Sequence, residues 1–536
     1  MPKVYEELAR ALAAADQGPV FGLVGDANLY LVDCFIRAHG GDYVAAANEN
    51  GAVLAALGYA SVSGRVGVAT VTHGPAVTNT LTALADGVRS GLPALLICGD
   101  TAVADRQNLQ NIAQREAVLS TGAGFEQVHS AETARDDLIR AMRAAAAERR
   151  PYALNLPTDL QHETVAAAQG AIRIAPTPPA VVPQEGDDLH EAVAVLAAAK
   201  RPLVLAGRGA CDAESRAALL RLADRLEAPL ATTLKARELF RGEDWDLGIF
   251  GTLSAPGAVE AILQADCVIS FGASLSSYTT SDGAYVEGKR VVQVSPRAAD
   301  LGCWHRPDVA VLGDAAPTVE ALLRWLDEAE IAPSGFRGEL APRGLGDFPA
   351  AEAPAEGLDC VAALSRLEAL LPRPRTFVMD GGRHMINALQ YVTAGDPQHY
   401  VHTTSFGAIG LGMAYAVGAA KAAPDRPAVL ICGDGGFMLG GLAEFNTAVR
   451  HALDLTVVVA NDGSYGAEHV QLRNKQMDPA VSLFAWPDIA PVAEALGGRG
   501  VTVRELADFA AVEAAIAEGR RPLLIELKLD PDRIGT

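Results

Sequence analysis

Short, uninterrupted runs of apolar residues recur along the chain, and stretches rich in alanine and leucine separate them. A strand buried on both faces carries such a run, because each of its faces contacts the apolar side chains of a covering helix. The pattern therefore predicts doubly wound parallel sheets in an α/β fold, with ligands bound at the carboxyl ends of the strands. The runs that best fit a buried strand are residues 66–71, 94–98, 202–206, 267–271, 428–432 and 455–460.

Two proline-rich stretches divide the chain of 536 residues. The first, residues 169–188, contains Ala-Pro-Thr-Pro-Pro, and the second, residues 331–357, contains four prolines. Proline disfavours both helices and central strands, so stretches of this kind usually connect domains. We therefore predict three domains of ordinary size, at residues 1–168, 189–330 and 358–536.

Charge and composition exclude several classes of function. Lys and Arg number 44 against 65 Asp and Glu, which gives a formal net charge of −21. A surface of that sign repels phosphate backbones and anionic lipid, so we expect neither nucleic acid nor a membrane as a partner. The amino end has no basic-then-apolar leader and no apolar run is long enough to span a bilayer, so we expect a cytoplasmic protein. The seven cysteines occur singly, which argues against a disulfide framework or a zinc knuckle.

The most informative stretch is a glycine-rich turn at the end of a predicted strand. Residues 433–436 read Gly-Asp-Gly-Gly. Glycines let the backbone approach a phosphate closely, and a following helix would direct its amino end at the anion. The Asp434 carboxylate would then bind Mg²⁺ together with oxygens at the end of the next strand. Gly-Asp-Gly alone also forms ordinary tight turns, but Asn-Asp-Gly at residues 461–463 follows the next predicted strand and favours the phosphate site.

This arrangement resembles the cofactor motif of thiamine-diphosphate (ThDP) enzymes, the superfamily of acetolactate synthase, pyruvate decarboxylase and benzoylformate decarboxylase. Residues 380–384, Asp-Gly-Gly-Arg-His, resemble the family's Asp-x-Gly-x-His segment, which contacts the diphosphate. Residues 405–412 resemble the loop whose bulky aliphatic residue, here Ile409, supports the bent cofactor. The resemblance implies cofactor contacts at Gly382, Arg383, His384, Gly407, Ala408, Ile409, Gly433, Gly435, Gly436, Tyr465 and Gly466.

The family pattern leaves two candidates for the second metal ligand. Counting forward from Asp434 places Asn461 at the usual spacing, whereas counting backward from residues 465–466 places Asp462 there. Ser464 would then supply a backbone carbonyl as a third ligand. We favour Asp462, and Asn461 stays open because either side chain offers the oxygen that Mg²⁺ requires. If it is not a ligand, Asn461 would cap the turn at the strand end.

In the amino-terminal block, the resemblance implies a catalytic role for Glu49. This residue precedes a Gly-Ala helix that continues with Gly-Tyr-Ala at residues 58–60. In the family, a glutamate in this context reaches N1′ of the cofactor's aminopyrimidine and exchanges a proton with it. Without that role, an isolated glutamate would be an ordinary first-turn residue favoured by the helix dipole.

Three further candidates lie in the same block. Residues 72–86 resemble the family's Thr-Ser-Gly-Pro-Gly-x-Thr-Asn segment, with His73 in place of Ser. His73 would donate a proton to a carbonyl substrate, or would be a hydrogen-bonded structural histidine. Asp26 lies in a loop similar to Gly-x-Pro-Gly-Asp-x-Asn-Leu, which implies that it faces the substrate, or else it is a turn aspartate. Gln110 resembles the family's active-site glutamine. The same segments imply cofactor contacts at Gly25 and Asn79.

Residues 189–330 resemble the family's central Rossmann-like domain, which binds FAD or ADP in some members and neither in others. The glycine turn at residues 207–209 is shorter than a full dinucleotide fingerprint, and no acidic residue directly follows residues 291–294. Acetolactate synthases carry an arginine-rich segment where residues 273–280 read Ala-Ser-Leu-Ser-Ser-Tyr-Thr-Thr. FAD binding is therefore doubtful.

The resemblance covers nearly the whole chain and implies a pyrimidine-binding, a central and a diphosphate-binding domain, in that order. Because Glu49 and Asp434 lie in different blocks, it also implies a homodimer or homotetramer with each active site between two chains. We expect a ThDP- and Mg²⁺-dependent enzyme that decarboxylates a pyruvate-like 2-oxo acid and joins the resulting enamine to a second carbonyl. A simple decarboxylase that releases an aldehyde is one alternative. A catalytically idle regulatory subunit is another, although such a subunit has no need of Glu49 and Asp434.

Overall fold

The computed structural model describes residues 1–105, 107–168, 170, 172–174, 180–350 and 357–533. Three parallel six-stranded sheets with interleaved helices make up the fold, which confirms the predicted α/β class. The described residues fall into two compact units, one from residues 1–176, 351–392 and 401–536 and one from residues 177–350 and 393–400. The first unit holds the first and third sheets, and the second unit holds the middle sheet.

The first sheet brings together the ends of the strands that precede the amino-terminal motifs. Its strands are β1 (Val20–Gly22), β2 (Tyr43–Ala45), β3 (Gly67–Val71), β4 (Ala94–Asp100), β5 (Gly124–Gln127) and β6 (Pro151–Pro157). Its helices are α1 (Val4–Ala15), α2 (Leu29–His39), α3 (Glu49–Ser63), α4 (Pro75–Thr78), α5 (Leu81–Ser90), α6 (Gln114–Ser120), α7 (Ala134–Glu148) and α8 (Thr158–Gln161). The order β2-β1-β3-β4-β6-β5 places the carboxyl ends of β1, β2 and β3 side by side.

The middle sheet forms the second unit. Its strands are β7 (Pro202–Ala206), β8 (Leu230–Thr232), β9 (Asp246–Ile249), β10 (Cys267–Phe271), β11 (Arg290–Ser295) and β12 (Val309–Leu312). Its helices are α9 (Asp187–Ala198), α10 (Ala213–Leu226), α11 (Pro256–Gln264), α12 (Ser277–Thr280) and α13 (Ala315–Glu328), and 3₁₀ turns cover Arg208–Ala210, Leu234–Ala236, Ala298–Asp300 and Phe336–Glu339. The order β12-β11-β10-β7-β8-β9 reverses direction between β7 and β10, where a doubly wound sheet has its crevice.

The third sheet repeats the strand order of the first. Its strands are β13 (Thr376–Met379), β14 (Tyr400–His402), β15 (Ala428–Gly433), β16 (Leu455–Asn461), β17 (Arg499–Val503) and β18 (Leu523–Lys528), in the order β14-β13-β15-β16-β18-β17. Its helices are α14 (Cys360–Leu370), α15 (His384–Tyr391), α16 (Gly412–Ala422), α17 (Asp434–Gly436), α18 (Leu442–Arg450), α19 (Gly466–Asn474), α20 (Ile489–Ala495) and α21 (Phe509–Glu518). A π turn covers Phe437–Gly441, and 3₁₀ turns cover Pro397–His399, Pro479–Ser482 and Leu506–Asp508.

The six apolar runs singled out in the sequence lie in β3, β4, β7, β10, β15 and β16, as predicted. The predicted linkers fall partly outside the described residues, at 169, 171, 175–179 and 351–356, and the predicted domain boundaries stay predictions. Within the second linker stretch, Phe336 is fully buried in an apolar cluster of the second unit. Among the described residues, no helix combines the length and the apolar character that crossing a membrane requires.

The first and third sheets share one apolar core in the first unit, and α3 and α16 pack against each other inside it. Both helices are buried along most of their length, as their apolar residues on all sides predict. A Cβ atom added at Gly58 would lie 2.1 Å from the carbonyl oxygen of Tyr415, and one added at Gly418 would lie 1.8 Å from that of Ala55. Glycine at these two positions therefore allows the two helix backbones to touch.

We expect Gly418→Ala to destabilise the protein by about 1–3 kcal/mol, because the added methyl group meets backbone atoms that cannot rotate away. Thermal unfolding measured by circular dichroism checks this expectation. Gly338→Ala is the control, since a Cβ atom at that position would lie in open space, more than 4 Å from the other described residues outside its own turn. Equal unfolding temperatures for the two variants would contradict a close contact between α3 and α16.

Candidate active site

The parallel pairing of β15 and β16 brings the two carboxylates of the predicted metal site together. Gly433 at the end of β15 pairs with Ala460 of β16, so Asp434 and Asp462 follow neighbouring strand ends. Asp434 is 2% exposed, and its Oδ2 atom is buried without a hydrogen-bond partner in the described part of the chain. Burial, and then the charge of Asp462, raise the pKa of Asp434 from 3.8 to about 7. A buried, unpaired carboxylate oxygen beside a second carboxylate is suited to bind a divalent cation.

Asn461 and Asp462 differ in what their side chains contact. The Asn461 amide donates to Glu526 Oε1 at 2.7 Å, and its Oδ1 accepts from the Gly463 N–H at 3.1 Å. Asp462 accepts from the amide and the hydroxyl of Ser464 through Oδ1, at 2.9 and 2.8 Å. Its own pKa is raised by burial, and its charge acts on Asp434. This geometry favours Asp462 over Asn461 as the second metal ligand, and the role of each residue stays a prediction.

No group of three or more His, Cys, Asp and Glu residues suited to a metal occurs among the described residues. Two carboxylates alone do not fill the shell of Mg²⁺, which commonly takes its other oxygens from water and from a phosphate group. The pair at Asp434 and Asp462 therefore fits a cation that is held jointly with a diphosphate.

The segment that follows β13 provides polar atoms without partners on the same side of the third sheet. His384 is buried, and burial lowers its pKa to about 4, so its imidazole is neutral near neutral pH. Among the described residues, neither its Nε2 atom nor the Nε atom of Arg383, both buried, has a hydrogen-bond partner. Arg383 also lies 3.6 Å from Asp462 and donates to the carbonyl of Pro531 at 2.7 Å. These two side chains fit an anionic ligand beside the metal site.

Glycine residues keep the space around the turn at residues 433–436 open. A Cβ atom at Gly435 would lie 2.6 Å from the Tyr465 ring, and one at Gly433 would lie 3.3 Å from the His384 ring. At Gly382, with φ +146°, the distance from an added Cβ to the His384 ring would be 2.6 Å. The space between these glycines and the His384 and Tyr465 rings therefore has room for a ligand only because glycine occupies these positions.

The loop that carries Ile409 is anchored to a buried carboxylate. Asp380 is 1% exposed and accepts from the N–H groups of Gly381 and Gly410, at 2.9 and 3.0 Å, and from the Thr403 hydroxyl at 3.2 Å. Burial raises the pKa of Asp380 to about 6. Gly407, Ala408 and Ile409 are not fully buried, so their atoms are accessible to a ligand.

Glu49 is the first residue of α3, at the carboxyl edge of the first sheet. Its carboxylate accepts from the Asn79 side chain at 3.0 Å. Asn48 caps the helix by accepting from the Gly51 N–H at 2.7 Å. Buried Glu444, on α18, accepts from the N–H groups of Ala47 and Asn48 at 3.1 and 3.2 Å. The segment that presents Glu49 is therefore fixed by contacts with the carboxyl-terminal block of the same chain.

Asp26 and His73 meet through Thr72. The Thr72 hydroxyl donates to Asp26 at 2.8 Å and lies 3.2 Å from His73 Nδ1. Asp26 is exposed and His73 is buried, 3% exposed. Gly25 lies against Thr72, because a Cβ atom there would be 2.9 Å from the Thr72 Cβ.

Gln114 is a residue that sequence reasoning missed. It is 4% exposed, and its amide accepts from the Gly74 N–H at 2.6 Å and donates to the Gly99 carbonyl at 2.9 Å. Gln110 contacts the same turn with its backbone, since a Cβ atom at Gly74 would lie 2.2 Å from the Gln110 carbonyl oxygen. The sequence feature that could have indicated Gln114 is its spacing of four residues from Gln110. In the structure it is the first residue of α6.

The site residues thus form two groups within the first unit. One lies at the carboxyl edge of the first sheet and consists of Gly25, Asp26, Glu49, Thr72, His73, Asn79 and Gln110. The other lies at the carboxyl edge of the third sheet and spans residues 380–384, 407–409, 433–436 and 461–466. Within the described ranges, no hydrogen bond or ion pair joins a side chain of one group to a side chain of the other.

Comparison with known proteins shows to which family the chain belongs. Three family descriptions match in order: the N-terminal TPP binding domain of thiamine pyrophosphate enzymes at residues 2–121, the central domain at 189–322 and the C-terminal TPP binding domain at 380–527. The probable 2-ketoarginine decarboxylase of Pseudomonas aeruginosa is 30% identical over 527 residues, covering 96% of this chain and 91% of that protein. The chain belongs to the thiamine pyrophosphate enzyme family. It is thus a ThDP enzyme that acts on a carbon–carbon bond next to a carbonyl group, as predicted.

Other relatives in this family carry different activities in their names. The acetolactate synthase of Mycobacterium leprae is 26% identical, covering 98% of this chain and 87% of that protein. The sulfoacetaldehyde acetyltransferase of Alcaligenes xylosoxydans xylosoxydans is 25% identical, covering 96% of this chain and 91% of that protein. The family therefore fixes the cofactor domains and leaves the specific reaction open.

The raised pKa of Asp434 predicts a pH-dependent effect of Asp434→Asn on the cofactor-free protein. A carboxyl whose pKa rises on folding binds its proton more tightly when folded, so this contribution to stability is present at low pH and is lost as pH rises through about 7. We expect the variant to be more stable than the unaltered protein by a few kcal/mol at about pH 8, and by only about 1–2 kcal/mol at about pH 5, because the effect vanishes only below the ordinary carboxyl pKa of 3.8.

Thermal unfolding of both proteins at the two pH values measures this difference. Asp425→Asn, at an exposed position, controls for the loss of one surface carboxyl group. A variant that is less stable than the unaltered protein at the higher pH would show that Asp434 is not a destabilising buried charge.

Proposed function

We propose that this enzyme decarboxylates a pyruvate-like 2-oxo acid and joins the remaining two-carbon unit to a second carbonyl compound. The observation that carries the proposal is the presence, in one chain, of Glu49 held by Asn79 at the start of α3 and of the buried carboxylate pair at Asp434 and Asp462. Acetolactate synthases of several bacteria are 25–27% identical to the chain over nearly its whole length, which supports carboligation.

The residues of the third sheet would hold the cofactor. Asp434 and Asp462, with the Ser464 carbonyl, would bind Mg²⁺. Arg383 and His384 would face the diphosphate through atoms that have no partner in the described part of the chain. ThDP, when bound, would supply the carbanion that attacks a 2-oxo acid and would accept the electron pair that remains when CO₂ leaves. Ile409 would limit the space beside the cofactor and so fix its orientation.

The residues of the first sheet would handle protons. Glu49 would hold a proton at N1′ of the aminopyrimidine, and Asn79 orients the Glu49 carboxylate through their 3.0 Å hydrogen bond. His73 and Asp26 would serve the substrate side, where proton transfer decides whether the two-carbon unit leaves as an aldehyde or forms a new bond.

A simple decarboxylase is the second candidate. The observation that favours it is the hydrogen-bonded set of Asp26, Thr72 and His73, which could deliver a proton to the two-carbon unit. The 30% identity to a protein named as a probable 2-ketoarginine decarboxylase also supports it.

We further propose that the active enzyme is a homodimer or a homotetramer in which each site combines the two groups of residues from different chains. Large apolar side chains lie exposed immediately beside both groups: Val24 and Leu109 in the first, and Phe406 and Leu439 in the second. Exposed apolar side chains around a site often mark a surface that a partner covers.

The second unit is proposed to lack FAD. The N–H groups of its glycine turn, which a nucleotide phosphate would require, donate within the unit: Gly207 to the Phe271 carbonyl at 2.7 Å and Gly209 to the Gly272 carbonyl at 3.1 Å. A Cβ atom at Gly207 would lie 2.3 Å from the Gly272 oxygen, so backbone atoms fill the space between β7 and β10.

Incubation of the ThDP- and Mg²⁺-loaded protein with pyruvate, with products identified by proton NMR, tests the reaction. We expect acetolactate or acetoin, because the two-carbon unit is expected to attack a second carbonyl. Acetaldehyde as the sole product would favour the decarboxylase, and unreacted pyruvate would reject pyruvate as the donor.

Glu49→Gln serves as the control for that experiment, since it keeps the shape and removes the carboxylate. Turnover should fall by about 10²–10⁴ with the cofactor still bound, the range that general acid–base groups contribute. Unchanged turnover would reject the role of Glu49, and an unaltered protein that binds ThDP without reacting with any 2-oxo acid would support the regulatory alternative.

Mixing two inactive variants tests the site between chains. A mixed dimer of Glu49→Gln and Asp434→Asn chains has one site with both changes and one site with neither. After unfolding and refolding an equal mixture, we expect about one quarter of the unaltered activity, because half the dimers are mixed and each has one intact site. No recovery, in a mixture shown by mass spectrometry to contain mixed dimers, would place each site within a single chain.

A further inference from the structure

Thr72 lies at the centre of a hydrogen-bond chain that no cofactor contact explains. Its Oγ1 atom donates to Asp26 Oδ1 at 2.8 Å and lies 3.2 Å from His73 Nδ1. The N–H of Ala27 also points at this oxygen, at 3.4 Å. The hydroxyl group thus connects a turn after β1 to the imidazole after β3.

The chemistry of the three groups fixes the direction of each bond. A carboxylate only accepts hydrogen bonds, and a threonine hydroxyl has a single hydrogen to donate. Because that hydrogen points to Asp26, the Thr72 oxygen must accept from the imidazole, and His73 Nδ1 must carry a proton. In a neutral imidazole the other nitrogen, Nε2, then has a free lone pair.

The surroundings hold this arrangement in place. His73 is 3% exposed, and the following residue, Gly74, has φ +60° and donates its N–H to Gln114 at 2.6 Å. Gly25 packs against Thr72, where a side chain would collide with it. In the part of the chain that the structure describes, His73 Nε2 makes no hydrogen bond.

We propose that Thr72 is a positioning residue that keeps His73 protonated on Nδ1, so that Nε2 can exchange a proton with the oxygen of the reacting compound. Nε2 accepts the proton when a hydroxyl group there becomes a carbonyl, and gives it back when a carbonyl there is attacked. The same proton moves between that oxygen and Nε2, and none is gained or lost over one turnover, so the step needs no co-reactant. While Nε2 holds the proton, the imidazolium donates to Thr72, and the Asp26 carboxylate balances its charge through the hydroxyl. The substrate-side role rests on the proposed function, whereas the protonation pattern of the ring does not.

Nitrogen NMR of histidine-labelled protein tests the ring directly. The two ring nitrogens of a neutral imidazole have distinct shifts, and His73→Gln identifies the His73 signals. We expect Nδ1 protonated and Nε2 unprotonated in the unaltered protein and in Thr72→Ser, which keeps the hydroxyl. In Thr72→Val, which has the same shape without a hydroxyl, we expect this preference to be lost.

Kinetics of the same variants test the consequence. Thr72→Val should lower kcat by a factor of about 10 to 100, while KM and ThDP affinity stay near their original values. Thr72→Ser should recover most of the activity. A ring protonated on Nε2 in the unaltered protein, or equal tautomers in the Val and Ser variants, would overturn the proposal even if pyruvate is not the substrate. Failure of the unaltered protein to consume any 2-oxo acid would instead count against the proposed function.

Discussion

Backbone contact between α3 and α16 is the constraint on which the first unit depends. Gly58 and Gly418 let the two helices approach until a single added carbon would collide with carbonyl oxygens, at 2.1 and 1.8 Å. One helix begins with Glu49, and the other follows the loop of Ile409. Buried Asp86 adds a second connection, since it accepts from the Phe406 N–H at 3.0 Å and the Tyr415 hydroxyl at 2.5 Å. The elements that carry the two groups of site residues are therefore fixed relative to each other within one chain.

The buried carboxyl groups of the third sheet differ in what balances their charge. Burial alone raises the pKa of Asp380 to about 6, and burial with the Asp462 charge raises that of Asp434 to about 7. Asp380 accepts hydrogen bonds from three protein donors, whereas one oxygen of Asp434 has no partner among the described residues. Buried charges that lack partners reduce stability, so such groups concentrate at functional sites. The contrast between these two aspartates separates the structural carboxylate from the candidate metal ligand.

The sequence predicts the fold well because the signal is local. Residues 202–206 and 267–271 are strands over the predicted range, since a continuous apolar run of only five residues suits a strand buried on both faces. The motif residues follow strand ends, so parallel topology alone brings Asp434 near residues 461–462. Which of those two residues faces Asp434 depends on side-chain alternation along β16, and the motif spacing does not resolve a shift of one residue.

Contacts between residues that are far apart in the sequence cannot be predicted from these local patterns. Glu444 and Ala47 are separated by 397 residues, and nothing in either segment indicates that a buried carboxylate fixes the start of α3. Gln110 and Gln114 both lie near Gly74, but only the packed structure shows that the second side chain is the one turned inward. The hydroxyl of Thr72 likewise gains its significance only from the turn that places Asp26 beside it.

The glycine contact between α3 and α16 also determines which positions of the first unit tolerate amino-acid substitution and which do not. Where backbone meets backbone, every possible side chain is larger than the space available, so these positions offer no route to new properties. The loops at the carboxyl edges, by contrast, end in exposed side chains such as Val24, Leu109 and Leu439. A library that varies those loops and leaves the helix pair untouched would change the proposed surface between chains, and with it the surroundings of the site, while the framework of each chain stays intact. The fold thus separates the part that must stay constant from the part in which the surroundings of the site can diversify.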